Sequence, residues 1–163
     1  MASIKQHADG SLSFYSELEG VSSGRVGGVA IGSASAPKHR VPQIAVFAFT
    51  GAAETGGGVF AWQPEDTSRI HVISKVILRV TTAATSAGTM DVGIGTSATT
   101  LYDTLIDGLD VNTATGIFDN ITNKGTNGLP TRNLAAGSYI TASAASGAVA
   151  GMVGVAYIEY WPI

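Results

Sequence analysis

Apolar and polar residues alternate along much of the chain after residue 43, and this period of two is typical of β-strands. The clearest case spans residues 69–81, which predicts a long strand with one apolar face and one wet face. The predicted inward set is Ile70, Val72, Val76, Leu78 and Val80, and the predicted outward set is Arg69, His71, Lys75, Arg79 and Thr81. A strand with one wet face favours an antiparallel sheet.

Further strands follow from the same kind of pattern. Residues 43–50 (QIAVFAFT) are apolar at almost every position, which predicts a strand buried on both faces. Shorter or more irregular strands are predicted at residues 59–62, 89–95, 138–144 and 149–160. No alternation of strands with long helices is present, so a parallel sheet is not expected.

A different spacing interrupts the β pattern between residues 99 and 109. Leu101, Leu105 and Leu109 are four residues apart, which predicts a short helix or helical loop packed at the edge of the sheet. Residues 112–137 are rich in turn-forming residues. The chain from residue 43 to 163 is therefore predicted to be all-β, an antiparallel β-sandwich or jelly-roll-like body with a short helical insert.

Residues 1–42 differ from this body and are predicted to form an extended N-terminal arm. Their apolar residues keep neither a helical nor a strand period for long, and Pro37 and Pro42 impose extended backbone at the end of the segment. The arm contains the aromatic pair Phe14 and Tyr15, so it has the means to bind a partner. The alternative is a terminus without a role.

The composition points to a surface that other molecules cover. Charged residues make up 13% of the 163 residues, against about 25% in an ordinary soluble domain. Either a membrane or other subunits would take up the apolar material, and no run approaches the roughly 18 apolar residues of a spanning helix. A subunit of a larger assembly is the expected class, and a monomer with a Thr-, Ser- and Gly-rich surface is the alternative.

Patterns that would carry chemistry are weak. The chain has no cysteine, its three histidines lack the spacing of metal ligands, and no GxSxG nucleophile elbow is present. Gly93-Ile94-Gly95 follows a strand but lacks the βαβ unit of a dinucleotide site. No catalytic residue, resident metal, cofactor or nucleic-acid partner is predicted, and the protein is not expected to be an enzyme.

Two residue groups leave alternatives open. Five aspartates between residues 91 and 119 favour either a structural calcium site or a solvated acidic edge. The aromatic residues of the strand ends favour either a glycan-binding surface or caps on the sandwich core, and the core is preferred. These residues are Phe60, Trp62, Tyr157, Tyr160 and Trp161.

The order of several phrases over roughly the last hundred residues resembles small virion structural proteins of tailed bacteriophages, of the capsid decoration or cement type. The phrases are VFAWQP at 59–64, TTAAT at 81–85, MDVGIG at 90–95, LIDGLDV at 105–111, DN at 119–120, LAAGSYIT at 134–141 and AYIEY at 156–160. No functional residue is carried over, because such proteins are identified by their body and not by a site.

The resemblance implies a β-sandwich body on the outside of a virion head, self-association as a homotrimer, and the major capsid protein as partner. An arm would then reach across neighbouring subunits, and we nominate Phe14, Tyr15, Lys38 and Arg40 as its partner-contacting residues. The alternatives are a jelly-roll glycan-binding module on a head or fibre, and another head-tail component.

Overall fold

The computed structural model describes residues 42–112 and 115–163 in full and, before them, the backbone of four short strands. The chain falls into two units, Met1–Arg40 and Val41–Ile163. In the first unit β1 (Ser3–Gln6) pairs antiparallel with β2 (Leu12–Tyr15), and β3 (Arg25–Val26) pairs antiparallel with β4 (Val29–Ala30). Lys38 and Arg40 lie outside the described residues.

The second unit is all-β, and no helix occurs in its described residues. Its strands are β5 (Gln43–Thr50), β6 (Gly58–Trp62), β7 (His71–Thr82), β8 (Thr89–Gly95), β9 (Ile106–Asp110), β10 (Gly116–Asp119), β11 (Arg132–Leu134), β12 (Tyr139–Ser146) and β13 (Val153–Pro162). A five-stranded sheet has the order β10-β7-β13-β5, with β11 also paired to β7, and a four-stranded sheet has the order β6-β12-β8-β9. All these pairings are antiparallel, which confirms the predicted sandwich-like fold.

The core fills the space between the two sheets. Strands from both sheets contribute side chains with no exposed surface, among them Ile73, Leu78, Met90, Ile106, Ile140 and Ile158. Each such side chain contributes about 1.5–3 kcal/mol when it is fully buried. The second unit therefore has a hydrophobic core of its own.

A β-bulge in β7 changes which residues of that strand face the core. Glu159 of β13 pairs with Lys75, whereas the next residue, Tyr160, pairs with Ile73, so that Ser74 is an extra residue in β7. An inserted residue shifts the period of two by one position. Odd-numbered residues before the bulge and even-numbered residues after it therefore point inward.

This bulge makes part of the prediction for residues 69–81 wrong. His71 was expected on the wet face, but it is buried, with 2% of its surface exposed. Ile70 was expected inside, but it is 44% exposed. Beyond the bulge the prediction is confirmed, because Val76, Leu78 and Val80 are buried.

The predicted helical insert is also wrong, since residues 106–110 form β9 and no helix precedes it in the described residues. Ile106 and Leu109 are both buried although they are three residues apart in a strand. The pairing of β9 with β8 is irregular between Met90 and Val92, and Gly108 has a positive φ of 71°. The irregular pairing thus turns both residues inward, at a spacing of three that is also typical of one face of a helix.

One far edge of the five-stranded sheet is closed by Asn120, which is fully buried. Its Oδ1 accepts a hydrogen bond from the Val76 N–H (2.8 Å), and its Nδ2 donates to the Pro130 carbonyl (2.7 Å). Strands β10 and β11 pair with successive parts of β7, and Asn120 fills the position between them. The side chain thereby replaces a missing segment of strand pairing.

Residues 121–131 continue from this edge to the four-stranded sheet. The Asp107 N–H donates to the Lys124 carbonyl at 3.0 Å, and the Leu129 N–H donates to the Thr104 carbonyl at 3.0 Å. Because Asp107 belongs to β9, this segment joins the two sheets along one side of the sandwich.

A second segment, residues 96–105, covers the outer face of the four-stranded sheet. Tyr102 packs so closely on Gly93 and Gly95 that a Cβ at Gly95 would lie 1.9 Å from the ring. Thr141 is buried on the same face and its hydroxyl donates to the Thr100 carbonyl at 3.2 Å. The two glycines therefore serve close packing of this segment against the strands.

Candidate assembly surface

The five-stranded sheet exposes a set of apolar side chains on the face that points away from the core. Ile117 is 70% exposed, Ile44 63%, Val46 56% and Val153 41%. Neighbouring side chains on that face are partly buried. We call this surface the outer apolar face, and it consists of Ile44, Val46, Ile77, Ile117, Val153, Val155 and Tyr157.

The strand register aligns these side chains in rows across the sheet. Tyr157 lies between Ile77 on one side and Val46 on the other. Val155 lies between Arg79 and Ala48 in the next row. Cross-strand neighbours on one face have Cβ atoms about 4.5–5.5 Å apart. The apolar side chains are thus contiguous, as expected of an interaction surface.

Ile117 extends the row that contains Arg79, because it pairs with Arg79 across β10 and β7. These two residues also line a shallow depression of about 320 Å³, together with Val80, Thr81, Thr115 and Gly116. Arg79 is the one ionisable residue among the described lining residues. The depression therefore combines apolar side chains and two threonines with a single cation.

Three charged residues of the outer face, Lys75, Asp119 and Glu159, collect at one end and make polar contacts there. Lys75 Nζ lies 3.7 Å from Asp119 Oδ2. Glu159 Oε1 accepts a hydrogen bond from the Ser74 hydroxyl at 2.7 Å, and the Trp161 indole donates to the same hydroxyl at 3.3 Å. These polar groups satisfy one another, and the exposed Arg79 is the charged residue that remains among the described apolar side chains of the face.

Asp119 holds the turn that follows β10. Burial works to raise the pKa of this carboxyl, but hydrogen bonds from the backbone N–H groups of Thr122 and Ile121 outweigh it and the pKa is lowered. The Thr122 N–H to Asp119 Oδ1 distance is 2.7 Å, and the Ile121 N–H lies at 2.9 Å. Asp119 is therefore fixed as a carboxylate at neutral pH.

Strand β5 forms one edge of the five-stranded sheet, and among the described residues it pairs with β13 alone. We call its other side the open edge. All eight residues pair in register with β13 without a bulge, and the strand contains neither a charge nor a proline. Natural edge strands are usually protected by a charge, a proline or a bulge. Strand β5 has none of these three.

The prediction that residues 43–50 are buried on both faces is wrong for one face. Phe49 is 4% exposed, and the Phe47 ring contacts the Phe60 ring at a centroid distance of 5.1 Å, so these two residues face the core. Ile44 and Val46, on the opposite face, are exposed. The sequence is that of a doubly buried strand, and the residues that the structure describes bury only one of its two faces.

Aspartates of β8 and β9 form a group at the edge of the four-stranded sheet. Burial raises the pKa of Asp91, and the nearby Asp107 and Asp103 carboxylates raise it further, against a backbone hydrogen bond from Gly108. Asn127 bonds both to Asp107 and to Asp103. In the part of the chain that the structure describes, no three His, Asp or Glu side chains are placed to hold a metal ion.

Aromatic residues divide between the core and the outer face. Phe60 and Trp62 pack against the core, and the Trp62 and Tyr160 rings are 5.0 Å apart. Burial raises the pKa of the Tyr160 phenol, and Glu65 adds to that rise. Trp62 and Trp161 are both half-buried, so neither presents the exposed indole that would favour glycan binding.

His71 completes this aromatic end of the sandwich. Its ring lies 5.6 Å from the Tyr160 ring, and its Nδ1 is buried without a hydrogen-bond partner among the described residues. Sequence reasoning missed this burial because the bulge at Ser74 has no signature in the hydrophobic pattern.

Of the four nominated partner-contacting residues, the structure describes only the backbone of Phe14 and Tyr15. Phe14 pairs with Ile4 and Tyr15 pairs with Ser3 in the hairpin of β1 and β2. Lys38 and Arg40 lie outside the described residues, so their role stays a prediction. The outer apolar face and the open edge were missed by the sequence analysis, although the low charge content signalled that some such surface exists.

Comparisons of the chain with protein-family models, with curated protein sequences and with solved structures return no match. The described residues contain no helix with the length and hydropathy that crossing a bilayer requires. Inferences about function therefore rest on the surfaces of the protein itself.

Proposed function

We propose that this protein is a non-enzymatic structural subunit that works by assembly, and that it is a capsid decoration or cement protein of a tailed bacteriophage. In this proposal it binds the outer surface of the head and stabilises the shell by bridging subunits. The major capsid protein is its partner, and the virion surface is its location. The proposed location on the head surface comes from the resemblance of roughly the last hundred residues to such proteins.

The observation that carries the proposal is the outer apolar face. Ile44 and Val46, at 63% and 56% exposed, follow one another on the same face of β5. Val46 continues into the apolar row of Tyr157 and Ile77, so these residues are not scattered singly. A contiguous apolar patch on a folded unit marks a site that another molecule covers. The absence of charge along β5 supports the same function, since an unprotected edge strand invites association.

Bridging contacts explain how a small chain could stabilise a shell. A filled head is under outward pressure, and a clamp between subunits raises the cost of separating them. Many copies acting together multiply modest contacts through avidity. The sandwich would supply the docking face, and residues 1–42, with Phe14, Tyr15, Lys38 and Arg40, would supply contacts to neighbouring subunits.

The test of this function is co-sedimentation of the full chain with heads of the tailed phage that encodes it, prepared without the protein. We expect saturation at a fixed, high copy number per head and a higher temperature of head disruption. Ile117→Lys should weaken binding at least tenfold, because it replaces the most exposed apolar side chain of the docking face by a second cation beside Arg79. Leu129→Lys is the matched control, since Leu129 is 43% exposed but lies outside the outer apolar face.

Three outcomes would contradict the proposal. Absence of binding to heads would remove the decoration function. Binding of only a few copies would favour a connector or tail station. Equal binding of the Ile117→Lys and Leu129→Lys variants would show that the outer apolar face is not the docking surface.

The contribution of the arm is tested separately. Deletion of residues 2–36 should lower the affinity for heads or weaken the oligomer, which the resemblance implies is a homotrimer. Light scattering measures the oligomer and co-sedimentation measures binding. If the deletion leaves both unchanged, the arm has no bridging role.

A further inference from the structure

The open edge of β5 is suited to pairing with an identical strand. Its eight residues carry no charge, no proline and no bulge, and their main-chain groups on that side have no partner strand among the described residues. Such a strand is a template for sheet extension. The occupant has to be an extended strand, and an apolar one matches the uncharged edge.

We propose that β5 pairs antiparallel with β5 of a second copy of this chain, across a two-fold axis perpendicular to the sheet. The two five-stranded sheets then become one continuous sheet, with both four-stranded sheets on the same side. This inference goes beyond the proposed function, which rests on the outer apolar face and not on the open edge, and it predicts a two-fold dimer in place of the homotrimer that the resemblance implies. A two-fold contact of this kind uses the same patch on both subunits.

The faces of β5 restrict the register of this pairing. Directly opposite residues of paired strands lie on the same face, so outer residues must meet outer residues. The two-fold axis therefore passes midway between the two copies of one residue, and these two copies lie directly opposite each other. Centring on Val46 places Ile44 opposite Ala48 of the other copy, and all three belong to the outer face.

Centring on Phe47 is the competing register, and packing argues against it. Phe47 faces the core and its ring already contacts Phe60 at 5.1 Å. Two Phe47 rings opposite each other would compete for that space. The Val46 register instead sets two β-branched side chains together on the outer face, where Val46 is 56% exposed.

Charge permits a second copy as the occupant. With Val46 on the axis, the row of Ile44 and Glu159 in one copy joins the row of Ala48 and Val155 in the other. The row through Val46 is apolar from Tyr157 of one copy to Tyr157 of the other. In the two joined five-stranded sheets, charged residues of different copies are separated by three or more strand spacings of about 4.8 Å, which is beyond the screening length, so like charges are not brought together at the axis.

Cysteine cross-linking tests the pairing directly, because the chain contains no cysteine. Val46→Cys in the full chain should form a disulfide-linked dimer under mild oxidation, since opposite Cα atoms lie about 4.5–5.5 Å apart. The mass on a non-reducing gel should double from the 16.6 kDa of one chain. A mixture of Ile44→Cys and Ala48→Cys chains should also cross-link. Ile117→Cys, on the same face but in β10, is the control and should remain a monomer on the gel.

Val46→Lys provides an independent readout without oxidation. It places two ammonium groups at the axis, so light scattering should show loss of the contact at concentrations where the unchanged chain self-associates. Val46→Thr, which keeps the β-branched shape, should retain it. Circular dichroism of both variants checks that the fold is intact.

The outcomes separate this inference from the proposed function. A Val46→Cys chain that cross-links no faster than Ile117→Cys would overturn the pairing, as would an unchanged chain that is a monomer or a trimer insensitive to Val46→Lys. Heads that still bind such a chain would leave the decoration function standing. A cross-linked dimer that fails to bind heads would retain the pairing and remove the function.

Discussion

The two sheets of the sandwich treat their outer faces in opposite ways. The four-stranded sheet is covered by residues 96–105, with Tyr102 seated on Gly93 and Gly95, so that Thr141 beneath is only 2% exposed. No segment of the described residues covers the five-stranded sheet in this way, and Ile117 on it is 70% exposed. Within the described part of the chain, one outer face is covered and the other is left largely apolar.

This difference shows that apolar residues on the two outer faces contribute differently to the stability of the isolated unit. Side chains under a cover stabilise the isolated unit, whereas a side chain that stays mostly in water contributes little until another molecule covers it. The same contrast holds for the two edges. Asn120 and residues 121–131 close one side of the sandwich, and β5 leaves the other open. An assembly would therefore use the half of the sandwich that carries the outer apolar face and the open edge.

Among the test variants, Asn120→Ala should lower the free energy of unfolding most, because it removes the side chain that fills the position between β10 and β11 at the edge of the five-stranded sheet. It leaves the buried Val76 N–H and the Pro130 carbonyl without their partner. Each unsatisfied buried group costs about 1–3 kcal/mol, so we expect the free energy of unfolding to fall by about 3 kcal/mol. Urea denaturation measures it.

Asn133→Ala is the matched control for that experiment. Asn133 lies on β11 close to the same edge, but its side chain is exposed. Its replacement should change the free energy of unfolding by less than about 0.5 kcal/mol. Equal effects at positions 120 and 133 would mean that the buried amide does not hold the edge.

Gly93→Ala should produce the next largest loss, because it pushes the cover off the four-stranded sheet. A Cβ at this position would lie 2.4 Å from the Tyr102 carbonyl carbon, so backbone has to move. Overpacking of this kind costs about 1–3 kcal/mol, and we expect about 2 kcal/mol in urea denaturation.

Gly58→Ala serves as the control on β6. No atom lies within 4 Å of a Cβ built at Gly58. Since glycine in a strand is unfavourable by about 0.5–1 kcal/mol relative to alanine, this variant should be neutral or more stable. A loss at Gly58 as large as that at Gly93 would argue against the close approach of Tyr102 as the cause.

Asp119→Asn should produce a smaller, pH-dependent loss. Its folded pKa lies below the ordinary value of 3.8, so the stability that its carboxylate contributes is present above that pH and is lost as the pH falls through the folded pKa. Because asparagine can still accept the Thr122 and Ile121 N–H bonds, we expect a loss of about 1 kcal/mol at pH 7. The difference should vanish well below pH 3.8.

Lys75→Met separates the hydrogen bonds from the ion pair in this experiment. The ammonium lies 3.7 Å from Asp119 and is partly exposed, so its removal should cost less than about 0.5 kcal/mol. A pH profile of Asp119→Asn parallel to that of the unchanged chain would contradict the lowered pKa.

The sequence was informative wherever a strand kept its period. Residues 43–50 were predicted as a strand and form β5 with those bounds. The prediction from the sequence was wrong where an inserted residue broke the period of two. The extra residue Ser74 turns His71 inward. In β9 the irregular pairing turns inward two residues that are spaced as in a helix. Bulges are set by pairing with a partner strand, which a single segment does not display.

The candidate surface was hidden for a different reason. A residue buried in a core and a residue reserved for a subunit contact have the same apolar chemistry, so Ile44 and Phe47 were indistinguishable in the pattern of β5. Only the position of β5 at an edge separates them, with Ile44 63% exposed. The composition predicts that a surface is covered in an assembly, and the topology shows where the exposed apolar residues lie.

The smallest expected effect is the most direct test of the bare face. Ile117→Ala should change the free energy of unfolding of the dilute chain by less than about 0.5 kcal/mol, because the side chain is 70% exposed. Ile106→Ala, at a fully buried isoleucine of β9, should cost about 2–5 kcal/mol. If Ile117→Ala costs more than 1 kcal/mol in the dilute chain, another part of the chain covers the five-stranded sheet. The outer apolar face would then belong to folding and not to assembly.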